Sequence, residues 1–409
     1  MRSWWGILPV VALLALGCRT KTRCDGEPEG GDNPGPAPAG CRAGALQTSA
    51  GVARVAFRVP FPAEEHPFGG WQLAAGDDVV AARVRSTLFI VDAKSGAIRS
   101  SKAVGAGFDL AVAAGVVLAT TRLEKEPAPG THGPRFEGAL TAFEVEGGRP
   151  RWTMETPPVL DPLVVSGERV FFSASRIAER SATAFAVALA TGRLAWQVPL
   201  PEEGEILAAD GAHVFVFAKG LLRALDPATG ATQWEQAVEL GRAHDGLATS
   251  NGQLFQGFPW RMTARRVADG GIAWSSEAKT GSTDGQKMFA SGDRGVVVAR
   301  KIYVHTDPPN PQPGHVGSVL AVFGEEGRTA LVHHVRVAEG NDGRRPVRES
   351  ASEGDHVVMT VDDHLQALSI CGLSLEDLSL PKRPSSGLAV HGEAAYLMLE
   401  GDELVRVDL

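Results

Sequence analysis

The chain has no excess of positive charge. Its 409 residues include 40 lysines and arginines against 48 aspartates and glutamates, a formal net charge of −8, and no block of basic residues. Proteins that hold nucleic acids through phosphate contacts carry the opposite balance. We therefore expect no nucleic-acid partner.

Cysteine is scarce. The four cysteines, Cys18, Cys24, Cys41 and Cys371, form no CxxC pair, so the clustered thiolates of a structural metal site are missing. Cys24 and Cys41 lie in a segment predicted to be exported, where a disulfide is permitted. Cys371 is expected to be a small buried hydrophobe.

Motifs for catalysis are also missing. The sequence contains no P-loop, no dinucleotide-binding fingerprint and no EF-hand pattern. His305, Asp307 and His315 could be imagined as metal ligands, but they lie in a proline-rich stretch and are interpreted as solvated residues. The sequence therefore predicts no catalytic residue, no metal site and no cofactor.

The longest apolar run at the N-terminus, Trp4 to Leu16, is too short to span a bilayer comfortably. With Arg2 before it and Gly17-Cys18 after it, the run is typical of a signal peptide covering residues 1–17. The letters "ALGC" resemble the lipobox of bacterial lipoproteins, which implies that Cys18 is lipidated and anchored in the outer membrane. Plain secretion is the alternative, since Ala15 and Gly17 also fit ordinary signal peptidase.

Residues 18–50 are rich in glycine, proline and alanine. This composition predicts a flexible tether that reaches roughly 30 Å root-mean-square for about 30 residues. The remaining residues, 51–409, are predicted to form one domain.

A repeated phrase fills that domain. In "LRALDPATGATQW" the alternating apolar residues predict a strand, Asp226 and Thr229 suit a tight turn, and Gly230 can adopt positive φ. Trp234 falls on the returning strand as a large apolar side chain. Degenerate copies of this phrase also place a tryptophan four residues after the turn glycine, at Trp152, Trp196 and Trp274.

Two series of turn glycines run through the domain. The series with the tryptophans has seven members, and a second series before apolar strands has eight. The last copy ends at Leu409 without its tryptophan strand, whereas "VAFRVPFP", Val55 to Pro62, matches "LAWQVPLP" with Phe57 in the tryptophan position. The N-terminal strand should therefore complete the sheet that the C-terminus begins.

Repeats of about 40–45 residues with four strands each indicate a propeller. The predicted fold class is all-β: an eight-bladed β-propeller of four-stranded antiparallel blades, the last blade closed by the N-terminal strand. Closure would leave no long exposed sheet edge.

The phrase at Ala224, Asp226, Thr229, Gly230 and Trp234 resembles the quinoprotein, or PQQ-like, repeat. The resemblance implies one of two branches. Dehydrogenases hold pyrroloquinoline quinone and calcium at the ring centre, and non-enzymatic propellers include the lipoprotein that supports outer-membrane β-barrel assembly. The chain departs from the dehydrogenases because no two of its cysteines adjoin. The resemblance implies that the repeat's tryptophans and aspartates are structural.

The longest insertions, 120–138, 300–317 and 337–352, are predicted on one face of the propeller, where loops usually serve recognition. The expected function is a non-catalytic scaffold that binds envelope proteins at the outer membrane, facing the periplasm or the cell surface. A quinone- and calcium-dependent dehydrogenase, or a surface binder of carbohydrate or peptide, are the alternatives.

Overall fold

The structure, a computed structural model, describes residues 47–62, 71–107, 109–125, 135–157, 162–176, 181–201, 204–238, 247–258, 261–277, 282–283, 286–291, 294–303, 317–323, 329–335 and 347–409. Within these ranges every regular element is a β-strand, and the strands are numbered in chain order. The compact unit that contains them spans Ala39–Leu409.

The first three sheets follow one another along the chain. Sheet 1 contains β3 (Trp71–Ala75), β4 (Val79–Val84), β5 (Thr87–Asp92) and β6 (Ile98–Ala103). Sheet 2 contains β7 (Leu110–Ala113), β8 (Val116–Lys125), β9 (Arg135–Glu144) and β10 (Pro150–Thr156). Sheet 3 contains β11 (Val164–Ser166), β12 (Arg169–Arg176), β13 (Ser181–Ala188) and β14 (Leu194–Leu200).

The next three sheets continue this order. Sheet 4 contains β15 (Glu205–Ala209), β16 (Val214–Ala218), β17 (Leu221–Leu225) and β18 (Thr232–Ala237). Sheet 5 contains β19 (Leu247–Ser250), β20 (Gln253–Phe258), β21 (Arg261–Arg266) and β22 (Ile272–Glu277). Sheet 6 contains β23 (Ser282–Thr283), β24 (Gln286–Ser291), β25 (Arg294–Tyr303), β26 (Gly317–Phe323) and β27 (Thr329–Val335).

The last two sheets each include a strand from the N-terminal part of the chain. Sheet 7 contains β28 (Val347–Glu353), β29 (His356–Val361), β30 (His364–Ser369), β31 (Ser374–Ser379) and β1 (Gln47–Val52). Sheet 8 contains β32 (Pro384–His391), β33 (Ala394–Leu399), β34 (Glu403–Asp408) and β2 (Val55–Pro60).

The sheets form a closed ring. Each sheet contacts the next through its inner strands, and β3 of sheet 1 contacts β32 of sheet 8. A separate hydrophobic cluster fills every junction between neighbours. The molecule is therefore a β-propeller whose core is distributed around the ring.

The burial of each strand reflects its position in its sheet. The second strands β4, β16 and β33 are buried at every residue, because sheets pack against both of their faces, and apart from Arg83 in β4 all their residues are apolar. The outermost strand β18 alternates between exposed and half-buried residues. Burial is therefore continuous on these second strands and alternates at the rim.

The predicted fold class is wrong as it stands. Six sheets of the described residues have four strands, but two have five. In sheet 6 the innermost strand is divided into β23 and β24, which both pair with β25. In sheet 7, β1 adds to the outer edge of β31 in parallel, so uniform four-stranded antiparallel blades do not describe the molecule.

The N-terminal strand β2 lies in the same sheet as the C-terminal strand β34. The two strands pair antiparallel from Val55↔Val407 to Pro60↔Glu403, with an irregularity between Val55 and Phe57. The first described strand, β1, begins at Gln47, inside the segment that the sequence predicts as a tether, and it has no apolar alternation that would reveal it.

The ring has two faces, which we name by their connections. The insertion face carries the connections from second to third strands, and the turn face carries the turns between first and second and between third and fourth strands. In the predicted insertions, 120–125 and 135–138 belong to β8 and β9, 300–303 and 317 belong to β25 and β26, and 347–352 belong to β28. Residues 126–134, 304–316 and 337–346 lie outside the described residues.

Candidate functional site

The repeat phrase forms the hairpin between β17 and β18. Asp226 Oδ1 accepts hydrogen bonds from the amides of Ala228 and Thr229 at 2.9 and 2.8 Å and from the Thr229 hydroxyl at 2.9 Å. The Thr229 hydroxyl and amide hold the pKa of Asp226 below its usual value. Gly230 closes the turn at φ +74°, where glycine is favoured.

The tryptophans of the repeat join neighbouring sheets. Trp196 in sheet 3 donates its indole N–H to the carbonyl of Pro227 in sheet 4 at 3.0 Å. A Cβ on Gly230 would lie 2.8 Å from the Trp196 ring, so the ring rests on that glycine. Trp152 donates to Leu189 O at 2.8 Å and Trp234 to Val267 O at 2.8 Å, each in the following sheet.

The junction that closes the ring uses other donors. Phe57 packs against Gly96 as the tryptophans pack against their glycines, but its ring has no N–H. The corresponding carbonyl, Ala93 O, accepts instead from Arg406 Nη1 at 2.9 Å and from the Tyr396 hydroxyl at 3.3 Å. An arginine and a tyrosine on sheet 8 thus take the place of the indole.

An arginine also serves the junction between sheets 6 and 7. Arg294, which is buried, donates from Nη1 to Ile370 O at 2.7 Å. Ile370 occupies the position that Pro227 has in its turn. Trp274 has a buried indole nitrogen without a hydrogen-bond partner in the part of the chain that the structure describes.

A buried polar network links sheets 1 and 2 and reaches the chain that enters sheet 3. Arg83, 1% exposed, donates from Nη1 to Gln72 Oε1 at 3.0 Å and from Nη2 to Thr120 O at 2.6 Å. Asp109 accepts from the Leu163 amide, and Gln72 Nε2 donates to Gly107 O at 3.1 Å.

Burial shifts the pKa values of Asp109 and Arg83 in opposite directions. Burial raises the pKa of Asp109 to about 6, although hydrogen bonds from the Leu163 and Leu110 amides and the charges of Arg83 and Lys287 oppose the shift. Burial lowers the pKa of Arg83 to about 10, so Arg83 remains cationic at neutral pH. Within the described residues both Nη atoms of Arg83 donate to protein acceptors, whereas its Nε is buried without a hydrogen-bond partner.

An open cavity of about 580 Å³ lies on the turn face, lined by residues of sheets 1, 2, 3, 7 and 8. His391 spans its rim, with Nε2 2.9 Å from Asp77 Oδ1 and Nδ1 2.9 Å from Glu353 Oε1. The three side chains come from sheets 8, 1 and 7. The cluster thus joins three neighbouring sheets where the ring closes.

Among the residues that the structure describes, the donor set does not fit a quinone and calcium. No group of three or more histidine, cysteine, aspartate or glutamate side chains within the described ranges could hold a metal ion. The buried Arg83–Asp109 network has its hydrogen bonds directed to the protein, and the sequence has no adjacent cysteines.

The expected buried thiol at Cys371 is wrong. Cys371 is half-buried and forms a disulfide. Cys18, the predicted lipidation site, lies outside the described residues, as do Cys24 and Cys41. A search of the described residues found no helix with the length and hydropathy needed to cross a membrane.

Sequence reasoning missed Arg406, Arg294 and the Arg83–Asp109 network. The first two had a signal: Phe57 and Leu331 occupy the tryptophan position without an N–H, so a junction carbonyl needs another donor. The Arg83–Asp109 network had no signal in the sequence, because Arg83 lies on a strand and Asp109 on a connection, with no repeated spacing between them.

Comparisons with known proteins agree with this architecture. A family model described as outer membrane protein assembly factor BamB, of the PQQ-like repeat, matches residues 84–306 and 178–360. Among curated proteins no match was found.

Solved structures share the fold at low identity. BamB from Moraxella catarrhalis has 18% identity and a TM-score of 0.57, covering 88% of this chain and 100% of that chain. The computationally designed Ika8 protein has 13% identity and a TM-score of 0.61, covering 90% and 100%. Quinohemoprotein alcohol dehydrogenase ADHIIG from Pseudomonas putida has 12% identity and a TM-score of 0.59, covering 88% and 76%.

At these identities the structures support the fold alone. The family model is different, because its matches together run from residue 84 to residue 360 and so cover more than half of the chain. The chain belongs to the PQQ-like repeat family whose model is described as outer membrane protein assembly factor BamB.

Proposed function

We propose that this protein is an exported lipoprotein whose propeller is a non-catalytic scaffold for envelope proteins, acting in outer-membrane protein assembly. Cys18 carries the lipid anchor, the following residues form a tether, and partners bind the insertion face. The observation that carries the proposal is the match of the family model over residues 84–306 and 178–360.

The distribution of side chains supports a scaffold. The indole donors, Arg406 and Arg294 serve junctions between sheets, and Arg83 and Asp109 serve a buried network. Such residues make a rigid ring. On a rigid scaffold, connections are the usual place for recognition, and the ten-residue strands β8 and β9 extend one such connection on the insertion face.

Site-specific photo-crosslinking in native outer membranes tests the proposal. A photoreactive residue replaces Asp363, an exposed residue in the β29–β30 connection of the insertion face. The matched control replaces Ala228, in the β17–β18 turn on the turn face. We expect an outer-membrane protein or an assembly component from position 363 and none from position 228. Absence of any envelope protein from position 363 would contradict the scaffold function.

Lipidation has a separate test. Cys18→Ser should abolish fatty-acid labelling and release the protein from membranes, because the thiol is the acceptor of the lipid. Cys24→Ser is the matched control and should keep both properties. A Cys18→Ser protein that remains labelled and membrane-bound would show that the anchor is elsewhere.

A quinone-dependent dehydrogenase is the second candidate, favoured only by the fold shared with the quinohemoprotein alcohol dehydrogenase. It requires that the purified protein bind pyrroloquinoline quinone with calcium and reduce a dye in the presence of alcohols or sugars. We expect a flat titration. Saturable quinone binding would favour the enzyme over the scaffold.

The propeller lies either on the periplasmic side of the outer membrane or on the cell surface. A periplasmic position favours a role in protein assembly, and a surface position favours a binder of carbohydrate or peptide. Protease added to intact cells should leave a periplasm-facing propeller uncut, with the same protease degrading it after the outer membrane is opened. Degradation in intact cells would favour the surface binder.

A further inference from the structure

Cys371 is covalently tied to a distant part of the chain. It lies in the turn between β30 and β31 and forms a disulfide. The other cysteines of the sequence are Cys18, Cys24 and Cys41. Within one chain, the partner of Cys371 therefore precedes β1, the first described strand.

Strand β1 brings that part of the chain to the same turn. It pairs in parallel with β31, beginning at Gln47↔Ser374, and the Gln47 amide donates to Leu373 O at 2.8 Å. Leu373 follows Cys371 by two residues. The first residue of β1 is thus joined to the chain at the β30–β31 turn.

The three candidate partners of Cys371 differ in their distance along the sequence from Gln47. Cys41 precedes Gln47 by six residues, which span at most about 20 Å when extended, enough to reach the 4.4–6.8 Å Cα separation of a disulfide. Cys24 precedes Gln47 by 23 residues. Loop-closure scaling favours the shorter connection by roughly sevenfold in effective concentration. Cys18 has no thiol if the lipid anchor of the proposed function is correct.

We propose that Cys371 pairs with Cys41 and that this disulfide clamps β1 onto the rim of sheet 7. Two thiols lose two protons and two electrons to form the S–S bond, and the oxidant is the disulfide of a dithiol oxidase of the cell envelope, which is reduced to two thiols. Cys24 then stays unpaired.

The disulfide holds β1 on β31, which buried side chains of β1 do not do. All six residues of β1 are exposed, with Val52 82% exposed, so β1 contributes no buried side chain to hold it on β31. Burial begins only at Ala53, whose amide donates to Ser379 O at 3.0 Å. A strand attached through backbone hydrogen bonds along one edge frays easily, and a covalent bond at its start opposes fraying.

Peptide mapping without reductant tests the pairing. Trypsin leaves Cys24 and Cys41 in one peptide, because no lysine or arginine lies between them, whereas cleavage after Glu29 separates them. We expect a disulfide-linked peptide pair that contains Cys41 and Cys371. A Cys24–Cys371 pair, or a Cys24–Cys41 pair with free Cys371, would overturn the proposal.

Hydrogen exchange tests the clamp. A Cys24→Ser variant keeps the disulfide, and a Cys24→Ser/Cys41→Ser variant loses it without an alternative partner for Cys371. Amides of Gln47–Val52 should exchange at least about tenfold faster in the double variant, with β16 unchanged as the internal control. Equal exchange in β1 would overturn the clamp. Both readouts are independent of partner capture at position 363, so they can fail without the proposed function failing.

Discussion

The junction between sheets 3 and 4 and the junction that closes the ring solve one packing problem with different residues. Trp196 supplies both a large ring against Gly230 and an N–H for Pro227 O. At the closing junction Phe57 supplies the ring against Gly96, while Arg406 and Tyr396 supply the donors for Ala93 O. The carbonyl and the glycine are the constant part, and the donor is interchangeable.

The difference shows what the junction requires. A buried carbonyl without a donor costs about 1–3 kcal/mol, whichever side chain supplies the bond. An indole meets both needs with one residue from the preceding sheet. The closing sheet is assembled from the two ends of the chain, and its packing ring and its donors come from different ends: Phe57 from β2, and Tyr396 and Arg406 from β33 and β34.

Removing the ring should have the largest effect. Trp196→Ala deletes a side chain that is 7% exposed, so we expect a loss of about 3–5 kcal/mol in the free energy of unfolding. Chemical denaturation measures this loss. Ile272→Ala, at a rim residue 55% exposed, is the control and should cost below about 0.5 kcal/mol. Similar losses in both variants would mean that Trp196 does not anchor the junction.

The junction of sheets 1 and 2 adds a buried charge that the other two lack. The pKa of Asp109 in the folded protein is raised by burial to about 6, against 3.8 ordinarily. Its stabilising contribution is therefore present below pH 3.8 and is lost as pH rises through about 6. At about 1.4 kcal/mol per unit, the loss is at most about 3 kcal/mol.

Asp109→Asn removes this titration. The unfolding free energy of the wild type minus that of Asp109→Asn should fall by up to about 3 kcal/mol between pH 4 and pH 8. Denaturation at several pH values measures the difference, and Asp363→Asn, at a carboxylate 67% exposed, is the control. A difference independent of pH would contradict the buried, protonatable Asp109.

Alanine substitutions at two glycines distinguish the cost of backbone strain from the cost of contact with the Trp196 ring. Gly230 and Gly252 have φ +74° and +70°, so alanine is strained at both, by about 1–2 kcal/mol. A Cβ at position 230 would meet the Trp196 ring at 2.8 Å, whereas one at position 252 would meet nothing within 4 Å. Gly230→Ala should therefore cost about 1 kcal/mol more than Gly252→Ala in denaturation experiments. Equal losses of unfolding free energy in the two variants would mean that contact with the Trp196 ring adds no cost at position 230.

The exchange of donors at the closing junction is the most specific effect, and the expected partial recovery is the smallest change. Arg406→Met leaves Ala93 O with only the Tyr396 hydroxyl at 3.3 Å, and we expect a loss of about 1–2 kcal/mol. Adding Phe57→Trp to that variant should recover part of the loss, because an indole at this position points to the same carbonyl elsewhere in the ring. A double variant less stable than Arg406→Met would show that the donors are not interchangeable.

The repeat positions could be predicted because they follow local rules. A glycine with positive φ recurs in the turns, Asp92 and Asp226 cap two of them, and Trp196 keeps a fixed distance from Gly192. The pairing of β2 with β34 also followed from the sequence, since one incomplete copy at each end matches the other. The strand β1 could not be predicted, because all its residues are exposed and carry no pattern.

The sequence alone determined that the chain is built of repeated hairpins, that a turn glycine recurs along them, and that the two ends belong to one sheet, because each of these follows from spacing along the chain. Only the tertiary structure decided which side chain donates to each junction carbonyl, that Arg83 donates to Thr120 O, and that Cys371 is covalently bonded. Those contacts join residues far apart in sequence, and they depend on the distance between atoms in space, which no local pattern contains.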